Sequence, residues 1–218
     1  MRLGLIIAAA LVLSVSGPAY GQEWIEFASP EDRFTCNFPG QPKVAETTFT
    51  SQFGAELPAR VYSAEVGQSH YSATVVDYSN IVSILTEQAK SCPDGAETCS
   101  GGGSSTGPGY STADLNGAII YATWQFIQRD AEVTHLLWNN INLVGGHQIH
   151  LTNADRSRTA AAIYFHDDKL YIFEGTVPEG RPEPGLFQQS VGWLDENGNA
   201  IRYESLYHHR FPAPARSR

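Results

Sequence analysis

The sequence predicts an α+β fold, an antiparallel β-sheet flanked by helices, from three observations. Four consecutive segments at 133–143, 148–152, 159–165 and 170–174 are rich in β-branched and aromatic residues and are separated by short turn-forming runs. Turns that short join antiparallel neighbours. Three other segments, starting near Asn80, Ser111 and Pro184, space their apolar residues at three and four instead, the pattern of an amphipathic helix. Finally, 42% apolar and 11% aromatic content in 218 residues suffices for one packed domain.

The chain opens with Met1-Arg2, an apolar run over 3–13, and then Pro18 with the small residues Ala19 and Gly21. The run is too short to cross about 30 Å of hydrocarbon. The order basic, apolar, small predicts an export signal peptide over residues 1–21, cleaved after Gly21. No cysteine follows the run directly, so no lipid anchor is expected, and no later stretch has the length and apolarity of a membrane span. One globular domain is expected over 22–205, with a Gly/Ser-rich loop at 91–110 and a disordered tail at 206–218.

In chain order, residues 24–27 and the alternating Phe34-Thr35-Cys36-Asn37-Phe38, joined through 29–32, predict a hairpin with Phe34, Cys36 and Phe38 inward. Pro39-Gly40-Gln41-Pro42 ends it. Strands are expected at 47–53, 60–66 and 71–78, the last two joined by a tight turn at Gly67-Gln68. Helical spacing covers 80–90, with Asn80 as cap and Ile81, Ile84 and Leu85 on one side. A second helix is expected from Ser111, with Ser111 and Asp114 as a capping box. Its buried stripe is Leu115, Ala118, Ile119, Ala122 and Phe126, widened by Ile120, Trp124 and Ile127. The four-stranded meander follows, divided at Gly145-Gly146, 153–155 and 166–168. A last helix from Pro184 lays Leu186, Phe187, Val191 and Leu194 on a sheet face.

Removing residues 1–21 takes away Arg2 and no acid, so the formal charge of −9 becomes −10. That sign argues against a nucleic-acid partner, which is read by clustered Lys and Arg. It argues equally against an anionic lipid surface. Three cysteines remain in a compartment where disulfides persist. Cys92 and Cys99 bracket a short run of turn formers and are the expected bridge, leaving Cys36 as a buried thiol. Pairing of Cys36 with either of the others is the alternative.

Candidate chemistry is sparse. Gly103-Ser104-Ser105-Thr106-Gly107 matches the nucleophile pattern of serine hydrolases, but that mechanism needs the serine on a strand-to-helix turn. No strand precedes Ser105, which reads as loop. His147 and His150, three apart on a strand, point to opposite faces and would need a bulge to share a metal. His166-Asp167-Asp168 reads as a hairpin turn whose acids bond their own backbone. Asp195-Glu196-Asn197-Gly198-Asn199 begins like a calcium loop, yet Ala200 and Leu206 occupy the positions that need glycine and a bidentate acid. His208-His209 reads as solvated tail. Trp24, Trp124, Trp138 and Trp193 are expected in the core rather than around a ligand cleft. No catalytic, cofactor-binding or metal-ligating residue is assigned, and no cofactor is expected.

Trp24, the run Phe34-Thr35-Cys36-Asn37-Phe38-Pro39-Gly40-Gln41-Pro42, the stretch Asp168 to Gly175 and Phe187-Gln188-Gln189-Ser190 resemble a family of exported, mostly uncharacterised bacterial proteins. That resemblance, over about 24–193, implies the PsbP-like α/β/α sandwich. The 92–109 insertion and the tail after Trp193 depart from it. The function expected is a soluble, exported, non-enzymatic accessory or binding protein of the cell envelope, most simply periplasmic with outright secretion as the alternative, and with a protein or small-molecule partner. The 92–109 loop is the expected binding surface. Two alternatives stand beside it: a hydrolase using Ser105, and periplasmic metal handling through His147 and His150.

Overall fold

A computed structural model describes residues 24–91, 109–211 and 214–217. The expected export signal, the expected Cys92–Cys99 bridge and Ser105 lie outside the described residues.

The first hairpin forms as expected from β1 (Ile25–Ser29) and β2 (Phe34–Phe38), and Phe34, Cys36 and Phe38 are fully buried. β3 (Lys43–Thr50), β4 (Glu56–Val66) and β5 (Ser69–Asp77) follow as an antiparallel meander. β4 starts earlier than its composition suggests because residues 56–59 pair with β3; Pro58 lies opposite Thr48 in that ladder and outside the β4–β5 ladder, which begins at Ala59. Gly67 takes φ +60° in the tight turn between β4 and β5, a conformation open to glycine.

Two helices come next, α1 (Ile81–Lys90) and α2 (Gly109–Ile127). Asn80 precedes α1 without a side-chain cap; its carbonyl instead accepts from the Ile84 N–H and the Ser83 hydroxyl. The expected capping box at Ser111 does not form, since α2 has already begun at Gly109. Asp114 is buried and accepts from the Ser51 hydroxyl at 2.5 Å, tying α2 to the turn after β3. Ala118, Ala122 and Phe126 are buried as expected, but Ile120, Trp124 and Ile127 are exposed. Among the described residues α2 packs on the large sheet and beside α1, which leaves these three side chains uncovered and the apolar stripe narrower than the sequence suggests.

The second meander is β6 (Ala131–Ile141), β7 (Val144–Asn153), β8 (Arg158–His166) and β9 (Lys169–Val177). The turn between β6 and β7 is Asn142-Leu143, with φ of 50° and 66°, and not Gly145-Gly146. Leu143 tolerates the left-handed conformation because its side chain packs on the core and its carbonyl accepts the Tyr207 N–H. The glycines serve close approach inside β7: a Cβ at Gly146 would sit 2.1 Å from the Ile163 carbonyl oxygen.

These strands form a seven-stranded antiparallel sheet in the order β3-β4-β5-β9-β8-β7-β6. A second sheet of five strands, β1-β2-β10-β11-β12, includes β10 (Gly192–Leu194), β11 (Ala200–Tyr203) and β12 (Ala215–Ser217). The expected last helix is only α3 (Gly185–Gln189); Trp193 and Leu194 go instead into β10, which pairs with β2 and β11. Residues read as a disordered tail contribute β12 and place the Tyr207 N–H on the Leu143 carbonyl.

The class is therefore α+β, with the two longer helices on one face of the large sheet and the short α3 on the other. One cluster, around Leu57, Tyr78, Ile149, Leu151, Ile163 and Phe165, lies between the seven-stranded sheet and α1 and α2. The other, around Phe34, Phe38, Tyr171, Phe173, Phe187 and Trp193, lies between the two sheets. Of the helices expected on both faces, the second face carries among the described residues only the short α3, whose Phe187 joins the cluster there, because the hairpin of Phe34 and Phe38 brings a second sheet onto that face. Each large side chain so buried contributes about 1.5–3 kcal/mol.

Candidate functional site

A cleft of about 640 Å³ opens at one end of the two-sheet sandwich, where the β4–β5 turn, the end of β9 and the proline-rich segment 178–184 meet. Tyr71, Val177 and Phe187 are buried and form its base, while Trp24, 42% exposed, and Leu186, 80% exposed, stand at its rim. The Trp24 indole meets the Tyr71 ring edge-on at 5.0 Å, and Phe187 packs on Tyr71 at 5.3 Å and on Phe38 at 5.1 Å. Burial pushes the Tyr71 phenol up, with a hydrogen bond from Ser69 working the other way. Gly175 allows the wall to close: a Cβ there would lie 2.7 Å from Pro184 Cβ and 3.3 Å from the Tyr71 ring. Pro178, Pro182 and Pro184 restrict the backbone of the segment that forms the wall.

The charges beside the cleft are unequally engaged. Glu183 accepts from Arg158 at 3.0 Å, and Glu179 pairs with Arg156 at 3.1 Å. Arg158 also donates to the Arg181 carbonyl. Among the described residues Arg181 is the one Lys or Arg lining the cleft.

The residues singled out by sequence lie elsewhere. His147 and His150 are on opposite faces of β7, as their spacing requires. The Thr123 hydroxyl donates to the Ile119 carbonyl at 2.7 Å, so His147 is read as donating its Nδ1–H to the Thr123 oxygen at 2.8 Å. His150 contacts Gln148 at 3.0 Å and lies 5.1 Å, ring to ring, from His135 across the β6–β7 ladder. Burial pushes both imidazoles down, and for His150 the neighbouring His135 adds to it. Among the described residues no group of three or more His, Cys, Asp or Glu is placed to hold a metal ion. Asp195 accepts the Asn197 and Asn199 N–H groups in a plain turn. Of the tryptophans expected in the core only Trp193 is buried; Trp24, Trp124 and Trp138 are substantially exposed.

His166 is a core residue of β8 rather than part of the turn. Its Nε2 lies 2.6 Å from the Tyr203 hydroxyl, and its ring lies 4.8 Å from Trp193 and 4.9 Å from Tyr207. Burial, with Arg33 adding to it, pushes the imidazole down to about 3. The fold thus holds it neutral while the unfolded chain takes up a proton below about pH 6.5, so stability falls as pH falls. At about pH 5 the loss is about 2 kcal/mol. Urea titrations should show a shallower drop between pH 7 and about pH 5 in His166→Gln than in the parent; equal drops would refute the assignment.

The Cys36 thiol is buried, 3.3 Å from the Ser190 hydroxyl, and desolvation pushes it up to about 12. A thiol reagent should therefore leave Cys36 untouched in native protein and label it in denaturant. With Cys92 and Cys99 bridged, the oxidised chain would show no reactive thiol when native and one when unfolded; labelling of native Cys36 would contradict the packing.

No protein-family model matches the sequence, and no curated protein matches it. Among solved structures, the solution structure of cyanobacterial PsbP (CyanoP) from Synechocystis sp. PCC 6803 is similar over 84% of this chain and 99% of that chain, at a TM-score of 0.44 and 12% sequence identity.

Sequence reasoning missed the cleft residues other than Trp24, and misplaced that one. The available signal was the run Pro178-Glu179-Gly180-Arg181-Pro182-Glu183-Pro184, which is too proline-rich for a strand or helix and so had to run over the surface.

Proposed function

We propose that this chain is an exported, non-enzymatic binding protein of the cell envelope, PsbP-like in architecture, whose cleft takes a small, largely apolar molecule. The observation that carries the reading is the cleft itself, with Tyr71, Val177 and Phe187 at its base and a half-exposed Trp24 at its rim. Concave, mainly apolar sites of roughly 300–1,000 Å³ are the usual form of small-molecule sites. The residues of 1–21 support export, and the resemblance over about 24–193 supports the PsbP-like reading. The lining offers packing surface and hydrogen bonds, and its acid, Glu183, is held by Arg158. An export signal fits a periplasmic address, with secretion from the cell as the alternative.

Native mass spectrometry of the protein taken from the envelope fraction of its own host, followed by denaturing mass spectrometry of the same sample, tests this. The expected result is added mass that disappears on denaturation and is lost in Leu186→Asp, which places a charge at the rim without touching the core. A bare native mass, or an adduct that Leu186→Asp retains in full, would overturn the assignment to this cleft.

A further inference from the structure

We infer that the ligand of this cleft is an amphipathic carboxylate, an acyl or aryl group lying between Trp24 and Phe187 with its carboxylate on Arg181; this rests on the binding-cleft reading above. The argument is one of charge left over. The wall segment contains two acids and one base, and each acid already has its own arginine from β8 or the turn before it: Glu179 with Arg156 at 3.1 Å and Glu183 with Arg158 at 3.0 Å. Arg181 stands between them in sequence, exposed, with no ion pair or side-chain hydrogen bond to its guanidinium among the described residues. The lining therefore presents one uncompensated cation beside an apolar surface.

A neutral apolar ligand would leave that guanidinium unused, and a cationic one would face it. An anion placed there gains a charge-assisted, bidentate pair of the kind arginine forms with carboxylates. The formal charge of −9 for the whole chain does not prevent this. Acids farther away than roughly 8 Å are largely screened at physiological ionic strength, and the two nearest in sequence are neutralised by their own partners. The other half of the ligand is set by the aromatic base and by Leu186, 80% exposed at the rim, whose apolar surface a hydrocarbon or aromatic tail would cover.

The test uses three probes with the same tail, dodecanoate, dodecanol and dodecyltrimethylammonium, each below its micellar concentration and near pH 8. They are titrated into the purified full chain with tryptophan fluorescence and calorimetry as readouts. Dodecanoate is expected to bind at least about ten-fold more tightly than the other two. Arg181→Gln should abolish that preference while leaving dodecanol affinity and the thermal midpoint unchanged. Equal binding of the three probes, or a preference that survives Arg181→Gln, would overturn the carboxylate inference and leave the apolar cleft standing. Binding of none would overturn both.

Discussion

Replacing Trp193 with alanine should destabilise the protein by about 3–5 kcal/mol, the range for removing a large aromatic side chain from a packed core. The indole is 1% exposed and joins both sheets. It belongs to β10, where it pairs with Phe34 of β2, and its ring lies 5.7 Å from Tyr164 of β8 and 5.1 Å from Tyr171 of β9. Its Nε1–H also donates to the Ile141 carbonyl of β6 at 3.0 Å, so deletion leaves a cavity and removes a buried hydrogen bond together. Trp193→Phe keeps much of the packing but not that hydrogen bond, and should cost less. Urea unfolding followed by far-UV circular dichroism is the measurement. A loss below about 1 kcal/mol for the alanine variant would mean that the small sheet is not held to the large one through this residue.

The second large effect is expected at Asp32. Its carboxylate is 3% exposed and sits between three donors: Arg60 at 2.9 Å and the Tyr62 hydroxyl at 2.6 Å on one oxygen, and Lys169 at 2.9 Å on the other. Its carbonyl accepts the Tyr171 hydroxyl at 2.9 Å, so both the side chain and the backbone of this residue fasten the turn between β1 and β2 to the large sheet. Removing one partner of a buried ion pair costs about 3–5 kcal/mol, because the cations left behind remain poorly solvated. Asp32→Ala should reach the lower part of that range, since Arg60 and Lys169 keep partial access to water.

The pH dependence of this effect has a definite sign. Burial alone would raise the Asp32 carboxyl, but the hydrogen bonds from Tyr62 and Lys169 and the charges of Lys169 and Arg60 outweigh it and hold the group below its ordinary value. A depressed acid contributes its stability in full above the unfolded value near 3.9 and loses it as pH falls through the folded value. The gap between parent and Asp32→Ala should therefore be full at pH 7 and shrink below about pH 4. An unchanged gap at about pH 3 would show that the carboxylate is not the source of the stabilisation.

The strands were legible in the sequence because their signal is local. Phe34, Cys36 and Phe38 alternate and do point inward, and the second meander appears with all four strands in order. Errors cluster where a residue's role depends on a partner distant in the chain. Gly145-Gly146 resembles a turn, yet the glycines serve contact with Ile163 and Tyr164 of β8 and with Trp138 of β6. Ser111 and Asp114 match a capping box, yet the carboxylate is taken by Ser51. The apolar spacing after Pro184 suggests a long helix, yet the ladder with Thr35 and Phe34 draws Gly192 and Trp193 into a strand. In each case local propensity lost to a tertiary contact worth more.

The cleft was less legible still. Its signals, an early tryptophan and a proline-rich run holding one arginine, are separated by more than 150 residues. By itself the sequence determined the α+β class, the order and alternation of most strands, the two longer helices, and the opposite faces of His147 and His150, all of which follow from side-chain periodicity along a few consecutive residues. Only the tertiary structure decided that a second sheet, joined by the short α3, covers the far face, that three of the four tryptophans are not buried, and that Trp24 and Phe187 both pack on Tyr71 around an opening beside Arg181. Those outcomes depend on which surfaces meet once the chain has folded, and the free energy of that meeting comes from area shared between segments far apart in sequence.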